Sequence, residues 1–256
     1  MTPNASGMPA DAECSLDALT AGVSVFQRRK GHRFSSDDTT TAWVALQVCP
    51  QPARILDLGC GLGSVLLHLA WSAPGASLVG VEAQDVSFEL LRRNVAHNRL
   101  GERVAIHHGD LRDAEVQAAL GGPFDLVTGT PPYFPVGTAP DALDEQRAYA
   151  RIEYRGGIEA YVAAAAGQLS ADGWFVVCGD SDAEPRLDRA AASHGFHVHR
   201  RYTVIPRTGR PPLFSVWALH RTPGPAEEIE ITLRDAAGER TAAAKTLRAF
   251  SGFAEK

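Results

Sequence analysis

The chain has 256 residues, of which 45% are hydrophobic and 21% are charged, and its formal net charge is −5. This composition provides enough apolar material for one large domain, and it excludes a disordered chain, a collagen-like chain and a small disulfide-stabilised protein. The negative charge excludes a uniformly basic surface. Any contact with nucleic acid must therefore come from local basic patches.

The sequence predicts a cytoplasmic protein. Its N-terminal residues lack an apolar stretch behind a basic start, and no run of about 18 apolar residues predicts a membrane span. No two cysteines form a CxxC pair, so neither a disulfide framework nor a zinc knuckle is expected. The histidines show no HxxxH or HExxH spacing, and no metal site is predicted.

The N-terminal part of the chain is weakly patterned. Residues 1–22 are small and polar, and we expect them to form a loose tail before a single domain over 23–256. Residues 23–34 predict a short hairpin with Gly31 at its turn.

A helix is predicted over 37–48, with Asp37 or Asp38 as its N-cap. It forms an N-terminal helical segment of the predicted domain.

A regular alternation of strands and helices follows. Strands are predicted over 53–57, 77–82, 104–107, 124–128, 174–178, 202–205 and 213–219. Helices are predicted between them over 64–71, 86–98, 113–120, 157–169 and 184–194. This alternation predicts an α/β fold with seven strands in a mostly parallel sheet.

The end of the chain departs from this alternation. The last two of the seven strands lack a helix between them, so we expect them to pair in antiparallel orientation. Residues 229–233 and a helix over 242–250 are predicted to form a C-terminal extension.

A glycine-rich loop, DLGCGLG at 57–63, follows the first of these seven strands and opens a helix. Glycine is needed where the backbone turns sharply and approaches a ligand. No lysine followed by serine or threonine comes after it, which disfavours a phosphate-binding P-loop. The carboxylate of Asp57 repels pyrophosphate but suits a cation, such as the sulfonium and ammonium groups of S-adenosylmethionine.

Two further acids follow the next two strands. Glu82 ends the second strand, 19 residues after Gly63, where a carboxylate can accept both ribose hydroxyls. Asp110 follows the third strand in a GDL sequence and can accept from the exocyclic amine of adenine. The alternative for Asp110 is a helix N-cap.

The TPPY sequence at 130–133 follows the fourth strand. Its prolines stiffen a turn that can aim the carbonyl of Pro131 at a donor, and Tyr133 can stack on a planar ring. Thr130 offers a second acceptor. Two acceptors that hold the hydrogens of an exocyclic amine would orient its lone pair toward a methyl group, and alignment would supply most of the catalysis.

These motifs, in this order, resemble those of class I S-adenosylmethionine-dependent methyltransferases, which have a Rossmann-like seven-stranded fold. The TPPY sequence is similar to the (N/D/S)PP(Y/F) element of amino-methyltransferases. The sequences GHRFSSD at 31–37, RIE at 151–153 and DAAGE at 235–239 further resemble one bacterial family. Its members methylate N6 of the adenine 3′ of the anticodon in a valine tRNA. The likeness covers residues from about 23 to 253.

The resemblance implies S-adenosyl-L-methionine as cofactor and tRNA as substrate. The implied cofactor-binding residues are Asp57, Gly59, Cys60, Gly61, Gly63, Glu82, Ala83, Asp110, Leu111 and Thr130. The implied catalytic residues are Thr130, Pro131, Pro132 and Tyr133.

One position departs from the family pattern. The family has asparagine where this chain has Thr130. A hydroxyl accepts one hydrogen bond on a shorter, branched stem, and it must donate its own proton elsewhere. This departure leaves three alternatives open: methylation of adenine N6 at a lower rate, methylation of a protein amide or a small molecule, and RNA binding without catalysis.

Two groups of basic residues are candidates for contact with tRNA phosphates. The alternative is a solvated surface. The candidates are Arg28, Arg29, Lys30, Arg33, Arg200, Arg201, Arg207 and Arg210.

Overall fold

The computed structural model of the protein describes residues 11–138 and 144–254. The strands in this part of the chain are β1 (Cys14–Ala18), β2 (Ser24–Arg28), β3 (Arg54–Leu58), β4 (Ser77–Glu82), β5 (Val104–His108), β6 (Phe124–Gly129), β7 (Leu169–Gly179), β8 (His197–Ile205), β9 (Phe214–His220) and β10 (Glu227–Thr232). The helices are α1 (Ser36–Val48), α2 (Ser64–Ser72), α3 (Asp85–His97), α4 (Ala114–Ala119), α5 (Glu145–Arg151), α6 (Ile158–Gln168), α7 (Glu184–Ser193) and α8 (Ala242–Phe250). None of these helices is both long and apolar enough to cross a membrane.

Eight of the strands form one sheet in the order β10-β8-β9-β7-β6-β3-β4-β5. Neighbouring strands are parallel, except that β9 is antiparallel to both β7 and β8. The predicted α/β class, the mostly parallel sheet and the antiparallel pair are therefore confirmed.

The predicted count of seven strands was wrong, because β10 joins the edge of the sheet parallel to β8. Ile229 lies opposite Tyr202, and Ile231 lies opposite Val204. Only every second residue of β10 is apolar, as in an edge strand with one buried face. This short alternating pattern does not indicate which strand β10 pairs with.

Helices cover both faces of the sheet. Buried residues of α1, α2, α3 and α8 pack in the core on one face, whereas those of α6 and α7 pack in the core on the other. Side chains alternate along β3, so that Ile55 enters the first core and Leu56 the second. Asp57 therefore points to the face that α1 and α2 cover.

The N-terminal hairpin differs from the prediction. Residues 14–18, expected to lie in a loose tail, form β1 and pair antiparallel with β2. The turn lies at 19–23 rather than at Gly31, and residues 1–10 are outside the described part of the chain. Asn98, the C-cap of α3, exchanges two hydrogen bonds with the backbone of Ser24, at 2.8 and 3.1 Å. These side-chain bonds satisfy backbone groups of β2 and hold the hairpin against the domain.

The order of the strands determines where a ligand can bind. β3 has β4 on one side and β6 on the other, so the chain reverses its direction of travel across the sheet between these strands. In open α/β sheets, ligands bind at the carboxyl ends of strands where this reversal occurs. The glycine-rich loop follows β3, and the TPPY sequence follows β6, so both lie at this position.

Candidate active site

Two adjoining cavities lie at the carboxyl ends of these strands. The first, here called the glycine-loop cavity, is lined by Gly59, Gly61, Glu82, Asp110 and Thr130, among other residues. The second, here called the proline-loop cavity, is lined by Arg29, Lys30, Pro131, Tyr133, Arg147 and Arg151, among other residues. The residues that line both cavities are His32, Asp38, Thr130 and Ala150. The two cavities therefore meet beside Thr130.

The glycines of the loop have different structural roles. Gly59 and Gly61 both adopt positive φ, at 58° and 57°. A Cβ at Gly59 would clash with the hydroxyl of Tyr161, and one at Gly63 would lie 2.7 Å from Leu91. A Cβ at Gly61 would meet no atom of the described chain within 4 Å. Gly61 thus faces open space, whereas the other two glycines allow close packing.

Glu82 connects the end of β4 to the glycine-rich loop. Its Oε2 accepts from the backbone N–H of Gly61 at 2.8 Å, and its Oε1 accepts from that of Gln84 at 2.7 Å. Burial raises the pKa of its carboxyl, and the two backbone bonds oppose this shift. Each oxygen retains a second lone pair, so the carboxylate can still accept from ligand hydroxyls.

Asp57 does not line either cavity. It is buried to 1% exposure, and the hydroxyl of Thr128 donates to its Oδ1 at 2.8 Å. Its Oδ2 has no hydrogen-bond partner in the described part of the chain. Burial raises the pKa of its carboxyl to about 7. Asp57 therefore lies beneath the loop, and its role near the cofactor, directly or through water, stays a prediction.

Asp38 is an acid at the cavities that the sequence predicted only as a possible helix cap. The N-cap of α1 is Ser35, whose backbone N–H donates to Asp38 Oδ2 at 2.8 Å. Asp38 lines both cavities, and burial together with the nearby charges of Asp37 and Asp57 raises its pKa to about 8. The fold of α1 over the sheet, which no local pattern encodes, brings it there.

The TPPY sequence forms the boundary between the cavities. Pro131 lines the proline-loop cavity, and Pro132 lines the glycine-loop cavity. The hydroxyl of Tyr133 donates to Asp37 Oδ2 at 3.0 Å and lies 3.3 Å from the sulfur of Cys178. Burial raises the pKa of Tyr133 well above its ordinary value, so its ring is a neutral, fixed wall of the cavity.

Asp110 and Arg155 form the far side of the glycine-loop cavity. The guanidinium of Arg112 donates to both oxygens of Asp110, at 2.9 and 2.6 Å, and lowers the pKa of this carboxyl. The alternative that Asp110 caps a helix was wrong, because the N-cap of α4 is Asp113. Arg155, which the sequence analysis missed, also lowers the pKa of Asp110 through its charge.

The remaining predicted cofactor residues are placed as follows. Three of them line the glycine-loop cavity, namely Cys60, Ala83 and Leu111. Gly63 does not line it and precedes α2 as its N-cap.

The predicted basic residues divide into two groups. Arg29, Lys30 and Arg33 line the proline-loop cavity, and the missed residues Arg147 and Arg151 of α5 join them there. Arg28 instead forms an ion pair with Asp144 at 2.9 Å.

The second group lies outside both cavities. Arg200 pairs with Glu227, and Arg201 pairs with Glu184 and Glu228. Arg207 donates to the carbonyl of Ala236. Arg210 does not line the cavities either.

Comparisons with known proteins define the class. A family model described as a methyltransferase domain matches residues 55–151. Among solved structures, a protein described as a predicted O-methyltransferase from Agrobacterium tumefaciens superposes with a TM-score of 0.61 at 18% identity, over 80% of this chain and 92% of that chain. A ribosomal protein L11 methylase from Lactobacillus delbrueckii subsp. bulgaricus gives a TM-score of 0.51 at 16% identity, over 74% and 81%. The fold is that of the class I methyltransferases.

Curated relatives define the family. The tRNA1(Val) (adenine(37)-N6)-methyltransferase of Porphyromonas gingivalis (strain ATCC BAA-308 / W83) is 30% identical over 180 residues, which are 67% of this chain and 70% of the relative. The enzyme of the same name from Yersinia pestis (strain Pestoides F) is 30% identical over 202 residues, or 77% of each chain. This chain belongs to the tRNA1(Val) (adenine(37)-N6)-methyltransferase family.

Proposed function

We propose that this protein transfers a methyl group from S-adenosylmethionine to N6 of an adenine in tRNA. The observation that carries the proposal is the junction of the two cavities at Thr130. One cavity is acidic and has a glycine loop as its floor, and the other is bordered by prolines, an aromatic ring and basic side chains. A methyl donor and a base in these cavities would meet at the TPPY sequence. A tRNA substrate agrees with the cytoplasmic location expected from the sequence.

The residues of the glycine-loop cavity fit S-adenosylmethionine. Gly61 leaves open space at the loop, and Glu82 retains lone pairs for two ribose hydroxyls. Asp110 can accept a hydrogen bond from the adenine amine of S-adenosylmethionine. Asp38 also lines the cavity and is the acid for the sulfonium and ammonium groups of the donor. S-adenosylmethionine, when bound, supplies a methyl group on an electron-poor sulfonium.

The residues of the proline-loop cavity fit a flipped base. Tyr133 presents a ring held by Asp37, and an adenine can stack on such a face. The Thr130 hydroxyl and the Pro131 carbonyl can accept the two hydrogens of the exocyclic amine. This grip aims the nitrogen lone pair at the methyl carbon. The nitrogen–carbon bond forms as the carbon–sulfur bond breaks, and the amine then releases one proton to solvent.

Nucleoside mass spectrometry tests the proposal directly. Purified protein and S-adenosylmethionine would be incubated with tRNA isolated from cells that lack this gene. With S-adenosylmethionine that carries an isotope-labelled methyl group, we expect labelled N6-methyladenosine in digests of this tRNA and not in digests of tRNA from complemented cells, whose sites are already modified. Methyl transfer to a protein or metabolite fraction, with no label in tRNA, would overturn the proposal in favour of the second alternative.

A further inference from the structure

A third cavity lies beside the first turn of α1, and it is lined by cationic rather than acidic side chains. We call it the arginine cleft. Its polar lining residues are Ser36, Thr39, Arg234, Arg240, Arg248 and Ser251. No described residue that lines it carries a negative charge. No sequence motif predicted a functional role for these arginines.

Two of the arginines are backbone partners across a short turn. Arg234 and Arg240 are partners in an isolated antiparallel bridge across a short turn. Like charges directly opposite one another in such a pair are destabilising unless an anion lies between or beside them. One acid of the intervening turn is Asp235, whose Oδ1 accepts from the backbone N–H of Glu239 at 2.9 Å.

The third arginine is held in place by uncharged groups. Arg248 Nε donates to the carbonyl of Ala254 at 3.2 Å, and its guanidinium lies 5.3 Å from the ring centroid of Phe253. In the described part of the chain, no carboxylate lies within ion-pair distance of Arg234, Arg240 or Arg248. The cleft therefore gathers three positive charges that lack a counter-charge. In contrast, Arg200 and Arg201 are neutralised by glutamates.

The cleft adjoins the site across one helical turn. Ser36 and Thr39 line the cleft, whereas Asp37 and Asp38 of the same turn line the proline-loop cavity. An RNA strand that places a base beside Tyr133 would therefore have its neighbouring backbone close to the cleft. RNA carries one phosphate per nucleotide, and arginine binds phosphate oxygens with paired N–H groups.

We propose that the arginine cleft binds a backbone phosphate of the RNA whose base enters the proline-loop cavity. This inference rests on the proposed function. Its ligand is a phosphodiester of the substrate itself, which the cleft holds to fix the register of the strand. The cleft acts in binding and not in methyl transfer, because α1 separates it from Thr130.

The test compares charge-matched variants in binding to one probe, an unmodified transcript of a bacterial valine tRNA. The variants are Arg240→Gln, Arg248→Gln and the control Arg189→Gln. Arg189 is exposed on α7, which packs on the opposite face of the sheet. Loss of one phosphate contact should raise Kd roughly three- to tenfold near 0.15 M salt and lower the slope of log Kd against log salt by about one. The control should match the wild type.

Further measurements separate the possible outcomes. Melting temperatures and S-adenosylmethionine binding should be unchanged in all three variants, and methylation should show a raised KM with kcat unchanged in Arg240→Gln and Arg248→Gln. If the wild type neither binds nor methylates the transcript, the proposed function fails. If the wild type does both and all three variants behave alike, only the arginine cleft inference fails.

Inorganic phosphate is the competing source of the same chemistry. It would be titrated against potassium chloride of equal ionic strength in the wild type and in Arg240→Gln. We expect any displacement of the transcript by phosphate beyond that by potassium chloride to require Arg240, because both anions would occupy the cleft. Saturable phosphate binding to the wild type that is lost in Arg240→Gln but leaves the affinity for the transcript unchanged would assign the cleft to a free anion and overturn the inference.

Discussion

The hydroxyl of Tyr133 donates a hydrogen bond to Asp37 Oδ2 at 3.0 Å, so a side chain at the start of α1 fixes the ring that follows β6. The adjacent acid, Asp38, lines both cavities instead. One helical turn thus orients a wall of the proline-loop cavity and supplies an acid to both cavities. Loss of the hydrogen bond to Asp37 and loss of the Asp38 carboxyl should therefore have different effects.

The role of the Tyr133 ring can be separated from that of its hydroxyl. Tyr133→Phe keeps the ring and loses the bond to Asp37, so we expect KM for tRNA to rise only a few-fold. Tyr133→Ala also removes the stacking surface, and we expect binding of the base to weaken by about 1–3 kcal/mol. Steady-state kinetics with a tRNA substrate would measure both. Equal kinetics of the two variants would show that the ring does not stack on the base.

The Thr130 hydroxyl should control the rate of methyl transfer if it accepts a hydrogen bond from the reacting amine. Thr130→Val removes the hydroxyl at nearly constant shape, and loss of one oriented hydrogen bond in the transition state should lower kcat by roughly 10²–10³. Thr130→Asn restores a planar acceptor and should raise kcat on adenine. Single-turnover rates with saturating donor measure both effects. An unchanged kcat in Thr130→Val would exclude a role for this hydroxyl in transfer.

The glycines of the loop should respond differently to alanine. Gly61→Ala places a methyl group in the open cavity and forces alanine into positive φ, at a cost of about 1–2 kcal/mol. We expect S-adenosylmethionine binding, measured by calorimetry, to be lost while the fold remains. Gly59→Ala should lower the melting temperature more, because its Cβ clashes with the Tyr161 hydroxyl. Tyr161→Phe in that background should restore part of the loss, whereas it should not rescue Gly61→Ala.

Asp38 should make the stability of the protein depend on pH. Burial beside Asp37 and Asp57 raises its pKa to about 8 in the folded state, from 3.8 in the unfolded chain. The folded protein therefore holds a proton that the unfolded chain releases, and this contribution to stability declines as the pH rises from about 4 to about 8. Asp38→Asn should flatten this decline. Urea unfolding at several pH values in this range measures the free energy of unfolding of the wild type and of Asp38→Asn. The same pH dependence in the two proteins would contradict the prediction.

The same acid should couple binding of the donor to proton release. A cationic ligand favours the ionised carboxylate, so binding of S-adenosylmethionine near pH 7 should release a proton from the wild type and not from Asp38→Asn. Calorimetry in two buffers with different ionisation enthalpies measures the number of protons. Asp188→Asn is the control: it removes an exposed acid of α7 that lines neither cavity, and it should leave the release unchanged.

Much of the fold follows from local patterns. The alternation of apolar strands with helices predicted the parallel sheet, and the short segment between β8 and β9 predicted their antiparallel pairing. The glycine-rich loop, Glu82 and the TPPY sequence could be assigned to one edge of the sheet because each directly follows or ends a strand. Each of these patterns spans only a few residues, so interactions within a short segment are sufficient to explain it.

Other features depend on contacts between distant parts of the chain. The side chains of Asn94 in α3 and of Asn98, its C-cap, hold β2 through hydrogen bonds to its backbone, which the polar N-terminal residues gave no means to anticipate. The burial of Asp57 and the position of Asp38 at the cavities have a similar origin. Strand alternation gives Asp57 a face of the sheet, but only the packing of α1 and α2 on that face buries it.

The sequence by itself determined the class of fold, the glycine-rich loop and the proline turn, because these depend on backbone geometry within a few residues. The tertiary structure alone decided which charges face a ligand. Arg234, Arg240 and Arg248 meet in one cleft only after β10 and α8 have packed beside α1. Burial and pairing of a charge are set by neighbours that are remote in sequence, so no local pattern can specify them.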